Sequence, residues 1–329
     1  MPGTWRARAR LLWTTRRLVP VFMGALALLP ACTTDAADDG RPRVLTTTPL
    51  IAEFASRVAG DDAGVDSLIP AGVDLHSYEP PAEAARRVTE ADLLLVNGYR
   101  LEESLLDVLA ENRAPGTRLL AVSAGAQALK GGQDAHDKEE DDGHAAAGES
   151  AGVEGPVFDE GDPHLWLDVA NAQIYVENIR DALVDVDPEH AAGYRERAET
   201  VLAELRELDA EIRAMLEPIP PERRTIVVFH DAFQYFAHAY EFELTTAIAS
   251  GSGAQPSSSA VADIIDLVRS KQIPAVYKEP AFSSEIVELV AREGGARVLT
   301  LYDTFAEGVD SYEALMRANA EALVEGLGR

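Results

Sequence analysis

The chain has 329 residues, 47% of them hydrophobic, a formal net charge of −27 and a single cysteine. That length and apolar content suffice for one or two domains with their own cores, and the acidity argues against a nucleic-acid binder, which needs a basic face to displace counterions from phosphates. One cysteine excludes disulfide frameworks, CxxC zinc sites and iron–sulfur clusters built by this chain, so His, Asp and Glu remain as metal ligands.

Residues 1–31 hold five arginines and no acid, and end in the apolar run Leu18 to Leu29. This is the layout of a secretory signal peptide, with an apolar stretch too short to span a bilayer. Pro30, Ala31 and Cys32 follow it. A cysteine separated from the apolar run by two residues, directly behind the small Ala31, resembles a bacterial lipobox, so Cys32 is expected to become a lipidated amino terminus that holds an exported protein at the membrane. Arg16 and Arg17 lack the context of a twin-arginine signal, which favours general secretion. Cleavage before Cys32 would leave 24 basic against 56 acidic residues, a charge near −32. Residues 32–42 read as a polar, flexible tether.

From residue 43 short β-type runs alternate with helical patterns. The runs are 44–48, 67–71, 92–97 and 118–123 in the first half, and 225–230, 244–249, 274–279 and 297–302 in the second. Segments 81–91, 258–271 and 283–293 have helical spacing between them. Such alternation predicts an α/β protein of two lobes, 43–187 and 218–329, each a mainly parallel sheet flanked by helices. Between them, 188–217 reads as one rigid linker helix, with Asp187 as its N-cap, Pro188 at its first position and Pro218 after its end. Leu202, Leu205, Leu208, Ile212 and Met215 step by three or four along it and predict one buried stripe. Residues 130–160 contain ten acids and two histidines with hardly a large apolar residue, and are expected to form a disordered surface loop. Its His136 and His144 are weak candidates for a metal-collecting role, beside the plainer reading of a solubilising insertion.

Of seven histidines, His76, His164 and His230 lie beside predicted strand ends among small or polar residues, and Asp303 ends the last strand in the same way. Ligands of open α/β sheets bind outside the carboxyl ends of strands, so these four positions are candidate metal ligands. His190 reads as a surface residue and His238 as a surface or packing residue, being turned about 80° from His230 on a continuous helix. No HExxH or comparable local motif is present, and the spacing alone supports only a general metal hypothesis.

The motifs themselves add more. GVDLHSYEPPAEAARRVTEADLLLVNG around His76, DPHLWLD around His164, FHDAFQYFAHAYEF from Phe229 and KEPAFSSE from Lys278 together resemble the zinc-type solute-binding proteins of ABC metal importers. Leu75 stands where that family usually has proline. The resemblance implies that His76, His164, His230 and Asp303 hold the metal, with water or a nearby Glu as the alternative fourth ligand; Glu79, Asp231 and Glu279 read as residues that support the ligands or the fold and not as ligands. It implies capture of Zn2+ between the lobes outside the cell and delivery to a membrane permease driven by a cytoplasmic ATPase. Manganese binders of the same group usually carry Glu at the position of His230, and three imidazoles with one carboxylate suit zinc, although affinity alone would not exclude copper or nickel. The rival readings are a manganese-binding member, a zinc hydrolase with an open coordination position, and an adhesion lipoprotein. Imidazole must be neutral to bind metal, so affinity is expected to fall below about pH 6.5.

Overall fold

The computed structural model describes residues 40–129, 153–246 and 256–328. The signal segment, Cys32, His136 and His144 lie outside these residues.

The first lobe is built on the strands β1 (Arg43–Thr46), β2 (Gly64–Ser67), β3 (Leu93–Val96), β4 (Arg118–Ala121) and β5 (Val153–Glu154). They form one sheet in the order β2-β1-β3-β4-β5, every pair parallel. All four residues of β3 are buried, as expected of a central strand covered on both faces. Helices α1 (Pro49–Ala59), α2 (Glu83–Thr89) and α3 (Glu103–Asn112) occupy the crossovers. Helix α1 starts sharply because Thr48 Oγ1 accepts the Ile51 N–H and Pro49 supplies a helical φ without needing a donor.

The second lobe carries the strands β6 (Thr225–Val228), β7 (Glu243–Thr246), β8 (Ala275–Lys278) and β9 (Arg297–Thr300), paired in parallel as β6 with β7 and β8 with β9. Strand β6 runs beside β8. Alternate residues of these strands face different cores. Ile226, Val228, Ala275 and Tyr277 join the main core, whereas Val227 and Val276 join a smaller one. That period of two shows the strands sandwiched between helical layers. Helices α7 (Ser258–Ser270) and α8 (Glu285–Gly294) form the layer over the smaller core, and α9 (Tyr312–Leu327) packs on the other side. Gly326 lets α9 approach β8 closely, since a Cβ there would stand 2.3 Å from the Tyr277 hydroxyl oxygen.

Between these parts run α4 (Val169–Val186) and the long helix α5 (Ala191–Leu216), and a short α6 (Gln234–Tyr240) follows β6. At about 1.5 Å per residue α5 is roughly 39 Å long. It packs against α1, α4 and α9, burying Val201, Leu202, Leu205, Leu208, Ile212 and Leu216. Arg197 of α5 donates to the carbonyls of Val58 and Ala59 at the end of α1 and to Asp62, while Arg317 of α9 pairs with Glu211 of α5. The long helix is therefore fastened to both lobes.

Four local features differ from the sequence reading. Residues 188–190 form a separate 3-10 turn ahead of α5, because the Asp187 carboxylate is taken by His190 Nδ1 and the Tyr194 hydroxyl, both at 2.6 Å, and caps no backbone N–H. The buried stripe ends on Leu216, and Met215 is only partly covered. Strand β2 stops at Ser67, although Leu68 and Ile69 still donate to Thr46 and Thr47 before Pro70 ends the run. The expected disordered loop does not reach 160: Val153 and Glu154 pair with β4, and Val157 is buried in the main core. Two valines and a phenylalanine after an acidic run are enough to anchor the returning chain.

Candidate metal centre

Every candidate ligand follows the carboxyl end of a strand: His76 after β2, His164 after β5, His230 after β6 and Asp303 after β9. Side chains of both lobes are thus aimed at one crevice. Nε2 of His76 lies 3.1 Å from Nε2 of His164. The ring centroids are 5.2 Å apart for His76 and His164, 5.3 Å for His76 and His230, and 4.9 Å for His164 and His230. One nitrogen from each of the three rings falls within 4.8 Å of the others, a spacing that one ion can bridge. His164 and His230 are buried and His76 is half-buried.

Each ring is held by its own surroundings. The Asp162 carboxylate accepts both the backbone N–H of His164, at 3.0 Å, and its Nδ1, at 2.8 Å, which leaves Nε2 facing the crevice. Glu279, just past β8, sits 2.9 Å from Nδ1 of His230 in the same role, and Phe282 packs on that ring at 4.8 Å. His76 lies in a turn closed by Asp74, which accepts the His76 N–H and the Ser77 hydroxyl. Leu75 is buried, so its departure from proline fills the core.

Asp303 is placed differently from the three imidazoles. It groups with His230 and Glu279, its Oδ2 being 3.8 Å from His230 Nδ1, and its Oδ1 is buried without a hydrogen-bond partner. Such an acceptor is costly to leave unpaired and is available to a cation. Its backbone carbonyl accepts Trp166 Nε1 at 2.7 Å, and Asn319 grips the preceding Tyr302 through both backbone groups. Glu79 is exposed and Asp231 accepts from Gln234, and neither is among the carboxylates grouped with the imidazoles. His190 and His238 are exposed.

The electrostatics separate the histidines. Burial, reinforced by the charges of its histidine neighbours, pushes His76 down to about 3 and holds His164 well below the ordinary value. Burial pulls His230 down too, but its bond to Glu279 and the charges of Glu279 and Asp303 outweigh it, and the group rises to about 9. Burial also pushes the carboxyls of Asp162, Glu279 and Asp303 upward. Two rings therefore stand neutral at pH 7, while the third holds a proton that it shares with the buried carboxyl of Glu279. Glu279 was legible as a supporting residue. Asp162 was missed, although its position two residues before a histidine at the start of a turn is the available signal.

The family model described as zinc-uptake complex component A, periplasmic, matches residues 44–326. A manganese-binding lipoprotein of Halalkalibacterium halodurans is 30% identical, the alignment covering 90% of this chain and 92% of the relative. The iron-binding protein YfeA of Yersinia pestis is also 30% identical, over 87% of this chain and 86% of its own. Among solved structures, the periplasmic zinc-binding protein TroA of Treponema pallidum superimposes with a TM-score of 0.74 at 25% identity, covering 88% of this chain and all of that one. A manganese-bound periplasmic metal-binding protein of Candidatus Liberibacter asiaticus gives 0.74 at 27% identity, covering 87% of this chain and all of that one. With the fold and nearly the whole chain in agreement, this chain belongs to the zinc-uptake complex component A family, the exported metal-binding, substrate-binding components of ABC importers.

Proposed function

We propose that the protein captures Zn2+ with His76, His164 and His230, takes Asp303 as the fourth ligand, and delivers the ion to its permease and ATPase. The observation that carries this reading is the convergence of three imidazoles, two of them neutral at pH 7, on one crevice. Three nitrogen donors and one carboxylate make a tetrahedral set suited to zinc at about 2.0–2.1 Å per bond. The unpaired Asp303 oxygen, buried beside His230, supports its place in the set. The protein acts as a carrier and not as an enzyme, since four protein ligands leave no open position for an activated water. Lipidation at Cys32 would hold it beside the permease.

Titrating the metal-free protein with zinc tests the ligand set. His164→Ala is expected to weaken binding by at least tenfold, and an unchanged affinity would sink the assignment. Manganese is the second reading, favoured by the relatives named for it and by the buried carboxylates of Glu279 and Asp303 behind His230. Competition of the two ions for the same protein separates the readings: manganese holding its place against equimolar zinc would overturn zinc.

A further inference from the structure

Asn97, at the carboxyl end of β3 and 1% exposed, has every hydrogen-bonding group engaged. Its backbone N–H donates to Glu102 Oε1 at 2.6 Å, and its carbonyl accepts from Ser123 Oγ at 2.5 Å. Its Oδ1 accepts from the Tyr175 hydroxyl at 2.6 Å. Its Nδ2 donates to the carbonyls of Pro163, at 2.8 Å, and Gly98, at 3.1 Å. Two carbonyls facing one end of the amide and a hydroxyl facing the other leave the side chain a single orientation. Glu102, Ser123 and Tyr175 are themselves buried, so the Asn97 backbone, held by the first two, and its amide, held by the third, are fixed by groups shielded from solvent. Glu102 is fixed in turn by the Thr47 hydroxyl at 2.5 Å.

The bond to Pro163 reaches the metal centre. That carbonyl belongs to the peptide unit whose N–H is His164's own, and this N–H is taken by Asp162. One peptide plane is thus gripped at both ends, by Asn97 on the oxygen and by Asp162 on the nitrogen, while the same Asp162 oxygen holds the ring at Nδ1. With plane and ring edge both fixed, Nε2 has one place to point, 3.1 Å from Nε2 of His76.

We propose that Asn97, locked by Tyr175 and Glu102, is a positioning residue of the metal centre that sets the Pro163–His164 peptide so that His164 presents Nε2 to the ion. The inference rests on His164 being a ligand. Preorganisation of this kind lowers the ordering cost of binding, and residues that orient metal ligands typically contribute about 10–100-fold to affinity.

The test compares the full exported chain with Asn97→Ala, Tyr175→Phe and His164→Ala. It measures zinc affinity by chelator competition, metal-free thermal stability, and the visible spectrum of the Co2+-loaded protein. Asn97→Ala is expected to weaken zinc about 10–100-fold and to shift the cobalt bands, which report coordination geometry. Tyr175→Phe, which keeps the amide but frees its orientation, should give a smaller loss in the same direction. Wild-type affinity and spectrum in both variants, beside a weakened His164→Ala, would overturn the positioning role alone, even if stability fell. Unchanged zinc affinity in His164→Ala would overturn the ligand reading and this inference with it. Should Asn97→Ala fail to fold, Tyr175→Phe decides by the same two readouts.

Discussion

Zinc loading should release at least one proton per ion near neutral pH, and His230 should supply it. The neighbourhood of Glu279 and Asp303 raises this histidine to about 9, whereas His76 and His164 are already neutral. Binding through Nε2 must displace the Nε2 proton while Nδ1–H stays on Glu279. A histidine raised in the metal-free fold makes the proton a competitor below its pKa. Affinity should therefore rise about tenfold per pH unit between pH 7 and 8, about 1.4 kcal/mol per unit, and level off above about 9. Removing the carboxylate in Glu279→Gln should move His230 back toward the ordinary value of about 6.5, so both the slope and the proton count should fall between pH 7 and 8. Isothermal titration calorimetry in buffers of different ionisation enthalpy counts the proton directly. A wild-type count of zero at pH 7.5, or an unaltered count in Glu279→Gln, would refute the reasoning.

Other consequences can be measured independently. Gly326→Ala places a methyl 2.3 Å from the Tyr277 hydroxyl and 2.9 Å from the Ala275 Cβ, an overpacking expected to cost about 1–3 kcal/mol in thermal or urea unfolding. Arg197→Ala leaves the carbonyls of Val58 and Ala59 short of a donor and should cost about 1–3 kcal/mol. Arg317→Ala removes a half-exposed pair and should cost no more than about 1 kcal/mol; the reverse order in denaturant melts would contradict this account of how α5 is fastened. His238→Ala should leave zinc affinity within error of wild type, since the residue is exposed on α6.

Most of the architecture was legible because the strands are short apolar runs with few competitors, and six of the eight runs read from the sequence lie within about two residues of the observed strands at both ends. Strand β5 was not, since Val153 and Glu154 sit among glycines, proline and acids and gain their conformation only by pairing with β4. Strand-end placement and motif together pointed to three imidazoles that the fold brings within reach of one another. What the sequence could not reveal was their inequality: an ordinary histidine value put the loss of binding below about pH 6.5, and the placing of His230 beside Glu279 and Asp303 moves it upward. Glu102 was hidden for a related reason. In LEESLLD it looks like any helix-surface acid, and its burial follows from the turn that leads from β3 into α3.

The two lobes meet α5 in one continuous apolar core that extends from Val44 of β1 to Leu327 of α9. A molecule drawn as two lobes should accordingly melt as one thermodynamic unit, with calorimetric and van't Hoff enthalpies in agreement. The layer outside that core is different: α7 and α8 cover only the smaller cluster around Val227 and Val276. Partial opening is cheapest there, and amides of α7 should exchange with solvent well before those of α5.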